Sequence, residues 1–215
     1  MELIDEIAAE REGVAELLEE ITPRQLAIPS LCQGWTVRDV GAHLLMPLVT
    51  PLPAVLLAMA RARFSFDRAN VTMTAEVANR MSTAEIVAGL RERSRNCFHP
   101  PGMGMEAPLT DLLVHGQDMR RPLGVEREIP ADRQLVALRF LTGGYGRTWV
   151  SSDRLRGLEF RADDVDWTFT GKVEDGASPA LVTGPAEALM LALASRPVAL
   201  EDLSGDGVSL LAERR

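Results

Sequence analysis

The sequence predicts an α+β protein, with a helical bundle over about residues 1–150 and a small α/β unit, ordered βββαβ, over 151–215. Three observations predict it. Apolar residues recur at helical spacing from Leu3 to Leu141, and capping residues punctuate them. From Leu158 the period changes to strict alternation, with Leu158 and Phe160 and then Val165, Trp167 and Phe169 standing between polar residues. Prolines and glycines cluster where the elements must break, at Pro47-Pro53, Pro100-Gly104, Pro122-Gly124 and Gly143-Gly146.

The first helix is read from Glu2 to Ile21 on Leu3, Ile7, Val14, Leu17, Leu18 and Ile21, and Thr22-Pro23 stops it. A loop through Cys32, Gly34 and Trp35 leads to Thr36, an N-cap with Asp39 three residues on, as in a capping box. Val37, Val40, Gly41, Leu44 and Leu45 form the apolar face of that second helix, with His43 at its edge. Pro47, Pro51 and Pro53 end or kink it and begin another, about Ala54 to Phe64, whose apolar composition predicts a packed helix. Asp67 to Met81 reads as loop with a weak helical stretch. Ser82 and Glu85 cap a further helix to about Asn96, and Pro130 opens one carrying Leu135, Leu138 and Leu141. In the last third, Leu158–Phe160 and Val165–Phe169 read as a hairpin, and Ala180 to Thr183 as a third strand. Gly184-Pro185 opens a helix, and Val208 to Ala212 reads as a final strand after Asp206-Gly207.

Composition narrows the function. With 46% hydrophobic and 25% charged residues, the 215-residue chain has the makeup of an ordinary globular protein with a proper core. A net charge of -8 and the lack of a basic tract argue against nucleic-acid binding. Leu44 to Ala60 is the longest uncharged apolar run, but it holds three prolines and is short for a bilayer, so no membrane association is expected. The chain opens on an acidic helix without a basic-then-apolar leader, and two cysteines are too few for a disulfide framework. The expectation is a reduced, cytoplasmic protein, monomer or homodimer.

The chemistry concentrates in PLTDLLVHGQDMRRPLG, Pro108 to Gly124, which reads as one helix. Asp111, His115 and Asp118, spaced by four and three, fall on one face bordered by Leu112, Val114 and Met119. Buried ionisable groups need a partner, and a divalent metal would satisfy them together; a half-exposed polar face with one satisfied histidine is the plainer reading. A site of His43, Asp111 and His115 would supply two nitrogens and one oxygen and leave a coordination position open. Asp118 suits an outer role, orienting His115. Spacing alone leaves open whether His43 faces His115. Cys32 is either a reactive thiol or a small packed residue, and His99 lies in a Pro-rich loop that suits a surface or lid role.

CQGWTVRDVGAHL (Cys32 to Leu44) and PLTDLLVHGQDMRRPLG together resemble the mycothiol-dependent maleylpyruvate isomerase family, whose N-terminal part is a DinB-like four-helix bundle. The tail VTGPAEALMLALASRP is similar to the family's small, sterol-carrier-like C-terminal domain. The resemblance implies a divalent metal, usually zinc, with nickel or another as the alternative, held by His43, Asp111 and His115. It also implies mycothiol as cosubstrate. The family isomerase has glutamate where this chain has Asp111. The resulting expectation is an isomerase or S-transferase that acts on a small electrophile through a metal-activated thiol. The competing expectations are a non-catalytic metal- or ligand-binding stress-response protein, and a scaffold whose C-terminal part carries an apolar ligand.

Overall fold

The computed structural model describes residues 2–214, the Thr148 side chain excepted; the terminal residues of the two expected ranges lie outside it. Eleven α-helices and one small sheet follow among the described residues, and the fold class is α+β as the sequence predicts. The chain divides into two compact units, Met1–His99 with Asp111–Arg127, and Pro100–Thr110 with Glu128–Arg215.

In the first unit α1 (Leu3–Glu20) packs on α6 (Thr83–Glu92), and α3 (Val37–Val49) packs on α5 (Phe66–Arg80). A one-turn helix, α2 (Pro23–Leu26), follows Thr22, which caps it instead of simply ending α1. The α1–α6 seam is bolted by Arg11. Its buried guanidinium donates through Nη1 to the carbonyls of Arg93, Ser94 and Asn96 at 3.1, 2.7 and 2.8 Å, satisfying the orphan end of α6. α3 and α6 approach closely because Gly89 has no side chain: a Cβ there would sit 2.9 Å from Leu45 Cδ2.

Two expectations fail here. Phe66–Arg80 is a full helix, α5, begun by the Ser65 hydroxyl accepting from Arg68 N–H. Its buried stripe of Ala69, Met73, Thr74, Val77 and Ala78 is made of small or weakly apolar residues, so the helical period was there but its hydrophobic amplitude was low. The apolar helix α4 (Leu52–Arg61), expected to be packed, buries none of its residues; Leu52, Leu56 and Leu57 face outward. It leans only on α5 among the substantial contacts, and its composition therefore misreports its position. No single helix among the described residues is long and apolar enough to cross a membrane; α3 and α4 pass that test only as a pair bent by 119°.

α7 (Glu106–Leu123) begins two residues before Pro108, which is tolerated because the first turn has no intrahelical partners for its N–H groups. From Leu112 to Arg120 all its residues except His115 are buried.

In the second unit α8 (Ala131–Thr142) packs on α10 (Ala186–Leu193), so the compact units part near residue 128, whereas the expected boundary lay near 150. α8 reads as a bundle helix by its period, but its apolar face meets α10. The short α9 (Ser152–Leu155) precedes the sheet. Its order is β2-β1-β3, with β1 (Leu158–Ala162) antiparallel to β2 (Thr168–Thr170) and parallel to β3 (Ala180–Gly184). Phe160 pairs with Phe169 on one side and Val182 on the other. The expected last strand is instead a helix, α11 (Val208–Glu213). The outer edge of β3 is already occupied: Thr183 and Ser204 exchange 2.8 Å bonds, and Gly207 N–H donates to Leu181 C=O at 2.8 Å. Val208 and Leu211 then turn inward at helical spacing. Five residues, four of them apolar, are too few to show which period they follow. The βββαβ order is thus corrected to three strands, a helix and a second helix.

Candidate metal centre

α3 is positioned by its own first turn. Thr36 N–H donates to Asp39 Oδ2 at 2.9 Å and Asp39 N–H to Thr36 Oγ1 at 3.2 Å, the reciprocal capping box the sequence predicts. Arg38, two residues after Thr36, reaches across to the end of α5 and the start of α6: Nη2 donates to Ala78 C=O at 2.9 Å and to Met81 C=O, and Nε to Thr83 Oγ1 at 3.2 Å. His43 lies two turns into α3, and Pro47 has no N–H to give to the His43 carbonyl one turn back.

The structure brings His43, Asp111 and His115 together. His43 Nε2 lies 3.7 Å from Asp111 Oδ2, and His115 Nε2 lies 3.4 Å from Asp111 Oδ1. One ligand atom from each falls within 4.8 Å of the others. The two imidazoles meet edge to face, centroids 4.6 Å apart. Trp35 walls them, 5.0 Å from the His43 ring and 6.4 Å from that of His115. Asp111 is the most open member, its side chain 26% exposed against 9% and 13% for the histidines.

These separations decide what the cluster can do. They exceed the 2.7–3.2 Å of a good N–H···O bond. A tetrahedral zinc with ligand atoms at about 2.0–2.1 Å spaces neighbouring ligands about 3.4 Å apart. Two imidazole nitrogens and a carboxylate oxygen so gathered are a donor set that fits a divalent cation.

The other ring nitrogens are held from outside. His115 Nδ1 lies 2.8 Å from Oδ2 of Asp118, a fully buried carboxylate, which leaves Nε2 to face Asp111. His43 Nδ1 lies 3.4 Å from Thr74 Oγ1, and Asn70 also bonds this histidine. Thr74 and Asn70 come from α5, which reads in sequence as loop with a weak helical stretch, and only its Ser65 cap and small-residue stripe signal them. Cys32 joins the second arrangement: its Sγ donates to Asp118 Oδ2 at 3.0 Å and lies 3.4 Å from His115 Nδ1. His99 is exposed and outside both clusters.

Electrostatics divides the two histidines. Burial lowers His43, opposed by the neighbouring Asp111 carboxylate and reinforced by the charge of His115. Burial also pulls His115 down, but Asp111 and the Asp118 bond outweigh it and raise the imidazole to about 10.

The fold and site define an α+β protein in which two bundle helices converge two imidazoles and one carboxylate on a single point. The chain resembles the mycothiol-dependent maleylpyruvate isomerases. Residues 7–97 match the family model described as the mycothiol maleylpyruvate isomerase N-terminal domain. Two crystal structures share the fold, that of the mycothiol-dependent maleylpyruvate isomerase and that of its histidine-to-alanine mutant. Their TM-scores are 0.61 and 0.65 and their identities 14% and 15%; in each comparison 96% of this chain and 93% of the other is covered. Among curated proteins none matches this chain in sequence.

Proposed function

We propose that this protein is a metal-dependent enzyme that uses a low-molecular-weight thiol, mycothiol, to isomerise or conjugate a small electrophile in the cytoplasm. His43, Asp111 and His115 would hold the metal, zinc by its donor set of two nitrogens and one oxygen. One observation carries the reading: three side chains from two helices bring one donor atom each within 4.8 Å of the others. A divalent cation held there supplies a Lewis acid that lets a thiol lose its proton at neutral pH.

The surrounding residues have separate tasks. Asp118 keeps His115 in the tautomer whose Nε2 faces the cluster. Trp35 keeps water off the histidine faces, which strengthens the electrostatics of the site. The exposed side of Asp111 marks the approach for thiol and electrophile. For an alkene substrate, addition of thiolate to one carbon makes the double bond single. Rotation about it and elimination of the same thiolate give the isomer. A substrate with a leaving group gives a stable conjugate instead.

Metal analysis of the purified protein, followed by mycothiol consumption with a generic electrophile and isomerisation of maleylpyruvate, tests the reading. One equivalent of metal and turnover that requires both metal and mycothiol are expected. Stoichiometric metal without any thiol-dependent turnover would replace it with a metal-binding protein.

A further inference from the structure

Cys32 sits where the lead-in loop of α3 meets α7. Its Sγ donates to Asp118 Oδ2 at 3.0 Å, the same oxygen that lies 2.8 Å from His115 Nδ1. The loop is tied to α7 beside it by Leu31 N–H donating to the Asp118 carbonyl at 3.1 Å. Ser30 stiffens it: its hydroxyl accepts from Cys32 N–H at 3.1 Å and donates to Trp35 C=O at 2.8 Å. One loop thus carries the thiol that touches Asp118, the indole that walls the site and the cap that starts the helix of His43.

Cys32, His115 and Asp118 also lie close enough together to be read as a second ligand set. Their distances speak against it. A sulfur and a nitrogen on one zinc stand about 3.5 Å apart and an oxygen and a nitrogen about 3.4 Å. Here Nδ1 to Oδ2 is 2.8 Å and Sγ to Oδ2 is 3.0 Å, hydrogen-bond lengths with Asp118 as common acceptor.

We propose that Cys32 is a positioning residue: its thiol, by donating to Asp118 Oδ2, holds the carboxylate that orients His115 and so sets how tightly the His43–Asp111–His115 cluster binds a cation. The effect on affinity rests on the proposed metal centre; the thiol–carboxylate bond does not. Asp118 is fully buried, so loss of a donor cannot be made good by bulk water. A thiol is a weak donor. Its contribution lies in fixing one oxygen rather than in the strength of the bond.

The test uses the full chain in a Cys97→Ser background, where Cys32 is the only thiol, with cobalt(II) as probe and chelator competition as readout. Cys32→Ala is expected to weaken cobalt binding about 10–100-fold, the usual cost of an outer partner of a ligand. Cys32→Ser, which keeps a donor, should recover most of it. On an Asp118→Ala background, which leaves the thiol no acceptor at this position, Cys32→Ala should cost nothing further. Unchanged affinity in Cys32→Ala, or losses that multiply in the double variant, would overturn the proposal. The S–H stretch of the metal-free protein reads the bond itself: it should lie low in the wild-type pairing and rise in Asp118→Ala. If the parent protein binds no cobalt, the metal centre fails and this band alone decides; a band that does not move rejects the thiol–carboxylate pairing.

Discussion

The rings of His43 and His115 stand at 71° to one another with both Nε2 atoms turned to Asp111, although one comes from α3 and the other from α7. Burial lowers His43 while Asp111 and Asp118 raise His115, so the pair holds a proton on His115 that a shared cation would displace. His115→Ala is therefore expected to abolish stoichiometric metal while leaving far-UV helicity intact, since Leu112, Leu113 and Val114 on α7 keep their packing. Metal analysis and circular dichroism of the variant check this; retention of one equivalent would remove His115 from the ligand set.

Metal binding should release a proton. In the metal-free protein His115 is raised from 6.5 to about 10, with Asp111 and Asp118 overcoming burial. Because the folded value lies above the unfolded one, the charged imidazole stabilises the metal-free fold fully below about pH 6.5, and that stability is lost as pH rises through about 10. A cation needs the neutral ring and must displace this proton. Apparent zinc affinity is expected to climb across this window. At pH 8 the calorimetric enthalpy should vary with the ionisation enthalpy of the buffer. An enthalpy identical in phosphate and Tris would contradict the raised value.

The capping box that starts α3 offers a third measurement. Thr36→Ala removes the oxygen that accepts from Asp39 N–H. It should cost about 1 kcal/mol of stability, or a Tm lower by about 2–4 °C in a chain of this length. Because α3 carries His43, cobalt affinity should fall along with it. A drop in Tm with affinity unchanged would mean that the helix start does not set the site.

The same cap explains why so much of the site could be read from sequence. Thr36 with Asp39, and the four-residue step from Asp111 to His115, are local rules that hold whatever the rest of the chain does. Which way His43 faces is not local; only the motif resemblance suggested it, and α5 supplies the reason. Thr74 on α5 holds His43 Nδ1 and Asn70 of the same helix also bonds the ring, yet α5 itself is obscured because its inward residues are Ala, Thr, Met and Val rather than Leu. Cys32 was visible as a thiol at a loop, but nothing in spacing could place it against a carboxylate 86 residues away. Val208–Glu213 failed for another reason, since a short apolar run takes its period from the surface it meets.

Composition and position part most clearly between two leucines. Leu45 on α3 is fully buried against α6 beside Gly89, whereas Leu56 on α4 is 62% exposed. The sequence reading assigned both to packed helices. Leu45→Ala should cost about 2–5 kcal/mol, the loss of transfer energy plus the cavity left in a seam that cannot close. Leu56→Ala should change stability by no more than about 0.5 kcal/mol, because a mostly solvated side chain has little burial to lose. Urea denaturation of the two variants, at matched protein concentration, separates them. A large loss at Leu56 would show that α4 is covered in solution by something other than water. A concentration-dependent midpoint would then identify a second copy of the chain as the cover.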